Sequence, residues 1–167
     1  MLSFDLRSLE SVAARVDAEL RSDDGVWEAG DARPITAVAV TGRLSAAGAG
    51  KFYFSGHIKG TAGSSCRRCL EDMHVSVDEA LHLLLVDGTA DEADEPDVYL
   101  IDARQHELDL RAAIREEWLL AVPQFAVCSE SCQGLCPTCG GNRNTGACAC
   151  KAATDPRWNA LTSLRDG

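Results

Sequence analysis

The stretch from Cys128 to Cys150 constrains this chain more than any other, because it holds six of the eight cysteines (Cys128, Cys132, Cys136, Cys139, Cys148 and Cys150) in a glycine-rich, almost non-hydrophobic run. Such a segment cannot build an apolar core. Thiolates converging on a tetrahedral metal supply order instead when cysteines stand two to four residues apart, and zinc is the metal that four such ligands favour.

The best-formed part is Cys136-Pro137-Thr138-Cys139-Gly140-Gly141. Pro presets φ, Gly accepts a left-handed backbone, and backbone N–H groups can point at the sulfurs, as in a zinc knuckle. Its partner pair is Cys148 and Cys150, reached over the turn formers Asn142, Asn144 and Gly146. Cys128 and Cys132 then remain, with the distant pair Cys66 and Cys69, so that two four-thiolate sites use every cysteine. A competing arrangement puts Cys128, Cys132, Cys136 and Cys139 on one metal and leaves Cys66, Cys69, Cys148 and Cys150 for the other. Spacing alone leaves both open. Two zinc ions are expected, in closed sites that hold a fold together and leave no open position for chemistry at the metal.

A disulfide framework would need an oxidising compartment, and the opening Met1-Leu2-Ser3-Phe4-Asp5-Leu6 has neither a basic nor an apolar leader region. Iron–sulfur spacings are missing. The longest apolar runs, Leu81 to Val86 and Trp118 to Val122, are too short to cross a bilayer. The expectation is a soluble cytoplasmic protein. A chain of 167 residues can bury one ordinary core, with the cysteine-rich tail as a small appendage. The formal charge of −10, made more negative by zinc–thiolate centres, removes long-range attraction to phosphate for the molecule as a whole. Any nucleic-acid contact would have to be local.

The fold class read from the pattern is α+β: a small antiparallel sheet, one main packing helix and a C-terminal zinc-ribbon-like segment. Domain 1–127 holds the first cysteine pair; 128–167 is the metal-binding tail. Phe4, Leu6, Leu9, Val12, Val16 and Leu20 predict a short strand and then an amphipathic helix ending before Ser22. Ile35–Gly42 and Lys51–Gly60 alternate and read as a hairpin; the second strand runs on toward Cys66. His74–Asp78 and Ala80–Val86 are two strands, or one long one, and antiparallel pairing throughout is the economical topology. His57, His74 and His82 fall at alternating, solvent-facing positions and read as surface residues. The carboxylate-rich stretch from Asp87 to Asp97 is a loop, and Val98–Ile101 a short strand. Asp109 is placed to cap a helix whose stripe is Leu110, Ala113, Ile114, Trp118 and Ala121, stopped by Pro123. That helix delivers the chain to Cys128, which favours pairing Cys128 and Cys132 with Cys66 and Cys69. A terminal helix is expected after Asp155 and Pro156, docked by Trp158.

Taken together, Cys66-Arg67-Arg68-Cys69-Leu70-Glu71, the helix from Leu108 to Glu116 leading to Ala121-Val122-Pro123, the run Cys132-Gln133-Gly134-Leu135-Cys136-Pro137-Thr138-Cys139-Gly140, and the closing Asp155-Pro156-Arg157-Trp158 resemble the YceD family. The resemblance covers most of the chain from Thr61 onward, and the opening Phe4 to Leu9 is also similar. That family is named for accumulation of the large-subunit ribosomal RNA. The resemblance implies a role in ribosome biogenesis, with ribosomal RNA, or a large-subunit ribosomal or processing protein, as partner. It carries over no catalytic residue, and the residues themselves present no nucleophile with a base, phosphate loop or open metal site. The expectation is a non-enzymatic zinc-stabilised binding protein with no membrane partner and no small-molecule substrate. Candidate RNA contacts are Arg67, Arg68, Arg143, Lys151 and Arg157, which flank the cysteines. A redox-responsive protein that releases zinc on oxidation, to bind clients or partners, is the alternative.

Overall fold

Alternation of apolar and polar residues builds the central sheet of this computed structural model, in which residues 1–88, 98–102, 106–146, 148–151 and 157 are described. In order, the elements are β1 (Ser3–Asp5), α1 (Leu6–Ser11), β2 (Ala14–Arg21), β3 (Ala37–Gly48), β4 (Lys51–Ser65), β5 (Asp72–Asp87), β6 (Val98–Ile101), β7 (Glu107–Asp109) and α2 (Arg111–Ala121). Strands β2-β3-β4-β5-β6 form one sheet, and β1 pairs with β7 in a small second one. The protein is α+β, as the pattern predicts.

β3 and β4 are the expected hairpin, longer than read: Ala39 lies opposite Lys59 and Ala46 opposite Phe52, with a register shift at Gly48. Val38, Val40, Leu44, Phe54 and Ile58 fill one face and are wholly buried. On the same face Gly42 stands opposite Gly56. A Cβ on Gly56 would meet the Phe54 ring at 2.7 Å, so the bare pair makes room for that ring. The opposite face carries Tyr53, Ser55, His57 and Lys59. Tyr53 Oη lies 3.0 Å from Nδ1 of His82 and Lys59 Nζ 2.9 Å from Asp78, so β4 and β5 run in opposite directions. His57, His74 and His82 are exposed, as expected.

α2 closes the other side of the core. Leu110, Ile114 and Trp118 are fully buried, and the indole of Trp118 lies so near Gly60 that a Cβ there would stand 2.9 Å from two ring carbons. Its Nε1 donates to the carbonyl of Ala32 at 2.7 Å. The Arg115 guanidinium forks onto Asp31 at 2.7 and 2.9 Å. The Tyr99 hydroxyl donates to Glu117 at 2.9 Å, tying α2 to β6.

Three expectations are corrected. Val16 and Leu20 lie on β2, not on a helix continuing from Leu6; α1 ends at Ser11. A spacing of four residues fits a helix turn and also two steps of a strand, and Ala14–Arg21 buries every second position in part or whole. β6 pairs with β5 in parallel, Leu84 opposite Val98 through Asp87 opposite Ile101. The expectation of antiparallel pairing throughout therefore fails at this edge of the sheet. Asp109 closes β7, and Leu110 is the N-cap of α2; the carboxylate still accepts the Arg111 amide at 2.9 Å. The rest of the acidic loop beyond Gly88 and the terminal helix around Trp158 lie outside the described residues.

The chain groups into two units: Met1–Ser64 with Met73–Gln124, and Ser65–Asp72 with Phe125–Gly167. The division differs from a boundary at 127. Ser65–Asp72 goes with the cysteine-rich tail because backbone bonds from Arg67 N to Ala126 O (3.0 Å) and from Leu135 N to Arg68 O (3.0 Å) hold it there.

Candidate metal centres

Both C-x2-C segments fold into the same turn. In the first, the Leu70 amide donates to the Cys66 carbonyl at 2.8 Å and the Cys66 amide to the Glu71 carbonyl at 2.9 Å. In the second, the Gly140 amide donates to the Cys136 carbonyl and the Cys136 amide to the Gly141 carbonyl, each at 2.8 Å. The residue after the second cysteine is left-handed in both, with φ +60° at Leu70 and +71° at Gly140. This turn aims backbone N–H groups at the leading sulfur: Arg68 N is 3.5 Å from Cys66 Sγ and Thr138 N 3.4 Å from Cys136 Sγ.

The structure brings the eight cysteines together as two tetrads, Cys66 with Cys69, Cys128 and Cys132, and Cys136 with Cys139, Cys148 and Cys150. Within each, all four sulfurs lie within 4.8 Å of one another. In the first, Cys66 and Cys132 sulfurs are 3.8 Å apart and those of Cys69 and Cys128 3.7 Å. Four sulfurs about 2.3 Å from a tetrahedral zinc stand about 3.8 Å from one another, so these two spacings fit a zinc–thiolate site. The tetrads differ in shielding. Cys66, Cys69 and Cys132 are buried in the first, but only Cys136 in the second, where Cys139, Cys148 and Cys150 are exposed.

The electrostatics of each cluster call for a cation. The backbone N–H of Cys128, 3.3 Å from Cys66 Sγ, and then that of Cys69 lower the Cys66 thiol to about 6. The N–H groups of Cys139 and Thr138 do the same for Cys136, also to about 6. Their neighbours move the other way: Cys132 and Cys66 push Cys128 up to about 12, and Cys139 pushes Cys150 up to about 12. Sulfurs this close cannot all hold negative charge alone; a bound dication lets them.

Polar residues between the ligands tie the unit together. Arg68 is one: its Nη1 donates to the carbonyls of Glu130 (3.0 Å) and Cys132 (3.1 Å), so this candidate RNA contact braces the Cys128–Cys132 loop. Gly134 passes so near the Arg68 backbone that a Cβ would stand 2.8 Å from its carbonyl oxygen, at a left-handed φ of +69°. Arg67 lies over the Phe125 ring, 4.7 Å from its centroid. Arg143, Lys151 and Arg157 are exposed, and Arg143 borders a concavity of about 240 Å³ with Cys148 and Cys150.

Asn142 and Asn144 do more than form the expected turn. Asn144 Nδ2 also donates to Cys132 Sγ at 3.4 Å while its Oδ1 accepts the Gln133 amide at 2.8 Å, and Asn142 Nδ2 reaches Glu71 at 3.0 Å. The loop of the second tetrad thus supplies a hydrogen bond to a sulfur of the first. The only sequence signal of Phe125 is an aromatic residue in the approach to the cysteines.

A family model described as the large ribosomal RNA subunit accumulation protein YceD matches residues 54–165. A curated protein of Zea mays, the large ribosomal RNA subunit accumulation protein YCED homolog 1, chloroplastic, is 29% identical over 178 aligned positions, which cover 88% of this chain and 59% of that protein. No solved structure matches.

Proposed function

This chain belongs to the YceD family of large ribosomal RNA subunit accumulation proteins, and from that premise we propose that it is a non-enzymatic, zinc-stabilised protein of ribosome biogenesis, acting in the cytoplasm to support large-subunit ribosomal RNA. The observation that carries the zinc assignment is the pair of four-sulfur clusters, the first with sulfurs spaced 3.7 and 3.8 Å apart. With four protein ligands each, the metals order the unit and leave no coordination position for a substrate. They supply cross-linking, and the surface they hold supplies the contact.

That surface belongs to the less acidic unit of the chain. Residues 65–72 and 125–167 contain six Lys and Arg against five Asp and Glu, a formal +1, which leaves −11 of the chain's −10 on the other unit. Metal-bound thiolates lower this figure, but the cysteine unit remains far less repellent to phosphate than the rest.

Two measurements test the reading. Native mass spectrometry of the protein purified without chelator is expected to show two zinc ions, falling to one when Cys136 and Cys139 are both replaced by Ser. Crosslinking in cells followed by sequencing is expected to recover large-subunit RNA, lost in Arg143→Glu/Lys151→Glu. Recovery of a ribosomal or processing protein with RNA at background would sink direct RNA contact.

Exposure of Cys139, Cys148 and Cys150 favours a second reading, a redox response at the second tetrad. Two thiolates would give two electrons to hydrogen peroxide and form one disulfide; the peroxide leaves as two hydroxides and zinc dissociates. Zinc release at low peroxide together with altered partner binding would favour it, and a tetrad inert to peroxide would exclude it.

A further inference from the structure

We infer that Arg67 and Phe125 form a platform on which an unpaired RNA base stacks. The inference rests on the proposal that this unit contacts RNA.

Phe125 exposes 73% of its surface. One face lies under the Arg67 guanidinium, 4.7 Å from the ring centroid, a separation at which a cation is attracted to the ring. The pair presents a cationic and aromatic surface. Such surfaces hold bases face to face in single-stranded RNA, whose bases, unlike those of a duplex, have free faces.

The platform is rigid because both members hang from the first tetrad. Arg67 lies between Cys66 and Cys69, and its amide bonds the carbonyl of Ala126, next to Phe125, at 3.0 Å. Two residues further on, the Cys128 amide points at Cys66 Sγ at 3.3 Å. Ordering costs are therefore met before any base arrives. Arg68, by contrast, spends its guanidinium on two backbone carbonyls. Among the described residues no carboxylate pairs with the Arg67 guanidinium, so its charge remains available to a ligand.

Charge alone gives this unit little hold on RNA, with a formal excess of only one before the thiolates are counted. Stacking, which adds on the order of tenfold or more in affinity per base, fills that gap and depends weakly on salt.

The test is fluorescence titration of the zinc-loaded full chain with a single-stranded RNA carrying 2-aminopurine, and with the same RNA annealed into a duplex. Wild type is expected to quench the single strand and to bind the duplex at least tenfold more weakly. Phe125→Ala should lose about tenfold in affinity and the quench, Phe125→Trp should restore both, and Arg67→Glu should lose at least as much as Phe125→Ala. Zinc content is measured for every variant. If wild type binds single-stranded RNA and zinc-loaded Phe125→Ala binds it equally, the platform is wrong while the RNA reading stands. If wild type binds neither RNA but binds a purified large-subunit protein, the RNA reading fails and the platform with it.

Discussion

Leu70 and Gly140 occupy the same place in two copies of one turn, yet only glycine adopts a left-handed φ without strain. A β-carbon there costs roughly 1–2 kcal/mol. Gly140→Ala should therefore weaken zinc binding at the second tetrad by about 1 kcal/mol, near fivefold in a competition titration with a chromogenic chelator. Leu70→Gly should be close to neutral, within about 0.5 kcal/mol, because relief of strain offsets the greater freedom of the unfolded glycine and Leu70 is 63% exposed. A loss in Leu70→Gly as large as that in Gly140→Ala would show that the left-handed φ is not what sets the cost. At this scale the chemistry of the ligands was legible, since two- and three-residue gaps between cysteines are local facts. The left-handed leucine, the amide of Asn144 on Cys132 and the guanidinium of Arg68 on two carbonyls were not, because each is fixed by a partner far away in sequence.

Among the elements, α2 and the hairpin were read correctly where one period was unmistakable, and β2 was misread where Val16 and Leu20, four apart, suited both periods. The contact between Gly60 of β4 and Trp118 of α2 leaves no room for a methyl group. Gly60→Ala should destabilise the first unit by about 2 kcal/mol through overpacking, seen as a lower urea midpoint with unchanged slope. An unshifted midpoint would mean that the indole moves aside freely. The fork between Arg115 and Asp31 holds the Asp31 carboxyl below its ordinary value of 3.8, first through the hydrogen bond from Arg115 and then through the Glu28 amide. A depressed carboxylate stabilises the fold fully above that ordinary value and loses its contribution as pH falls through the lowered one. Asp31→Asn should accordingly lower Tm at pH 7 and narrow its difference from wild type as pH drops below about 3.8. A difference independent of pH would assign the effect to packing.

Across the whole molecule, acidity and cysteines are segregated, and the two tetrads differ in access. A graded chelator is expected to remove zinc in two steps, with Cys139, Cys148 and Cys150 alkylated in the first and Cys66, Cys69 and Cys132 only in the second, read by mass spectrometry. Simultaneous labelling of all eight would overturn the distinction. That the cysteine count closes with none left over was visible in the chain. The parallel pairing of β6 was not, because nothing in Val98–Ile101 itself tells in which direction it joins a neighbour. The first tetrad has one more consequence, in the order of events during synthesis. Cys66 and Cys132 lie 66 positions apart, and the chain leaves their unit after Asp72 and re-enters it at Phe125. The ligands of the second tetrad all lie within a short local run, whereas Cys66 and Cys69 wait for Cys128 and Cys132 until the segment carrying β5 and α2 has been made. A metal captured there would fasten both ends of that excursion, as a clasp closes a necklace, before Cys148 and Cys150 of the second tetrad have been translated.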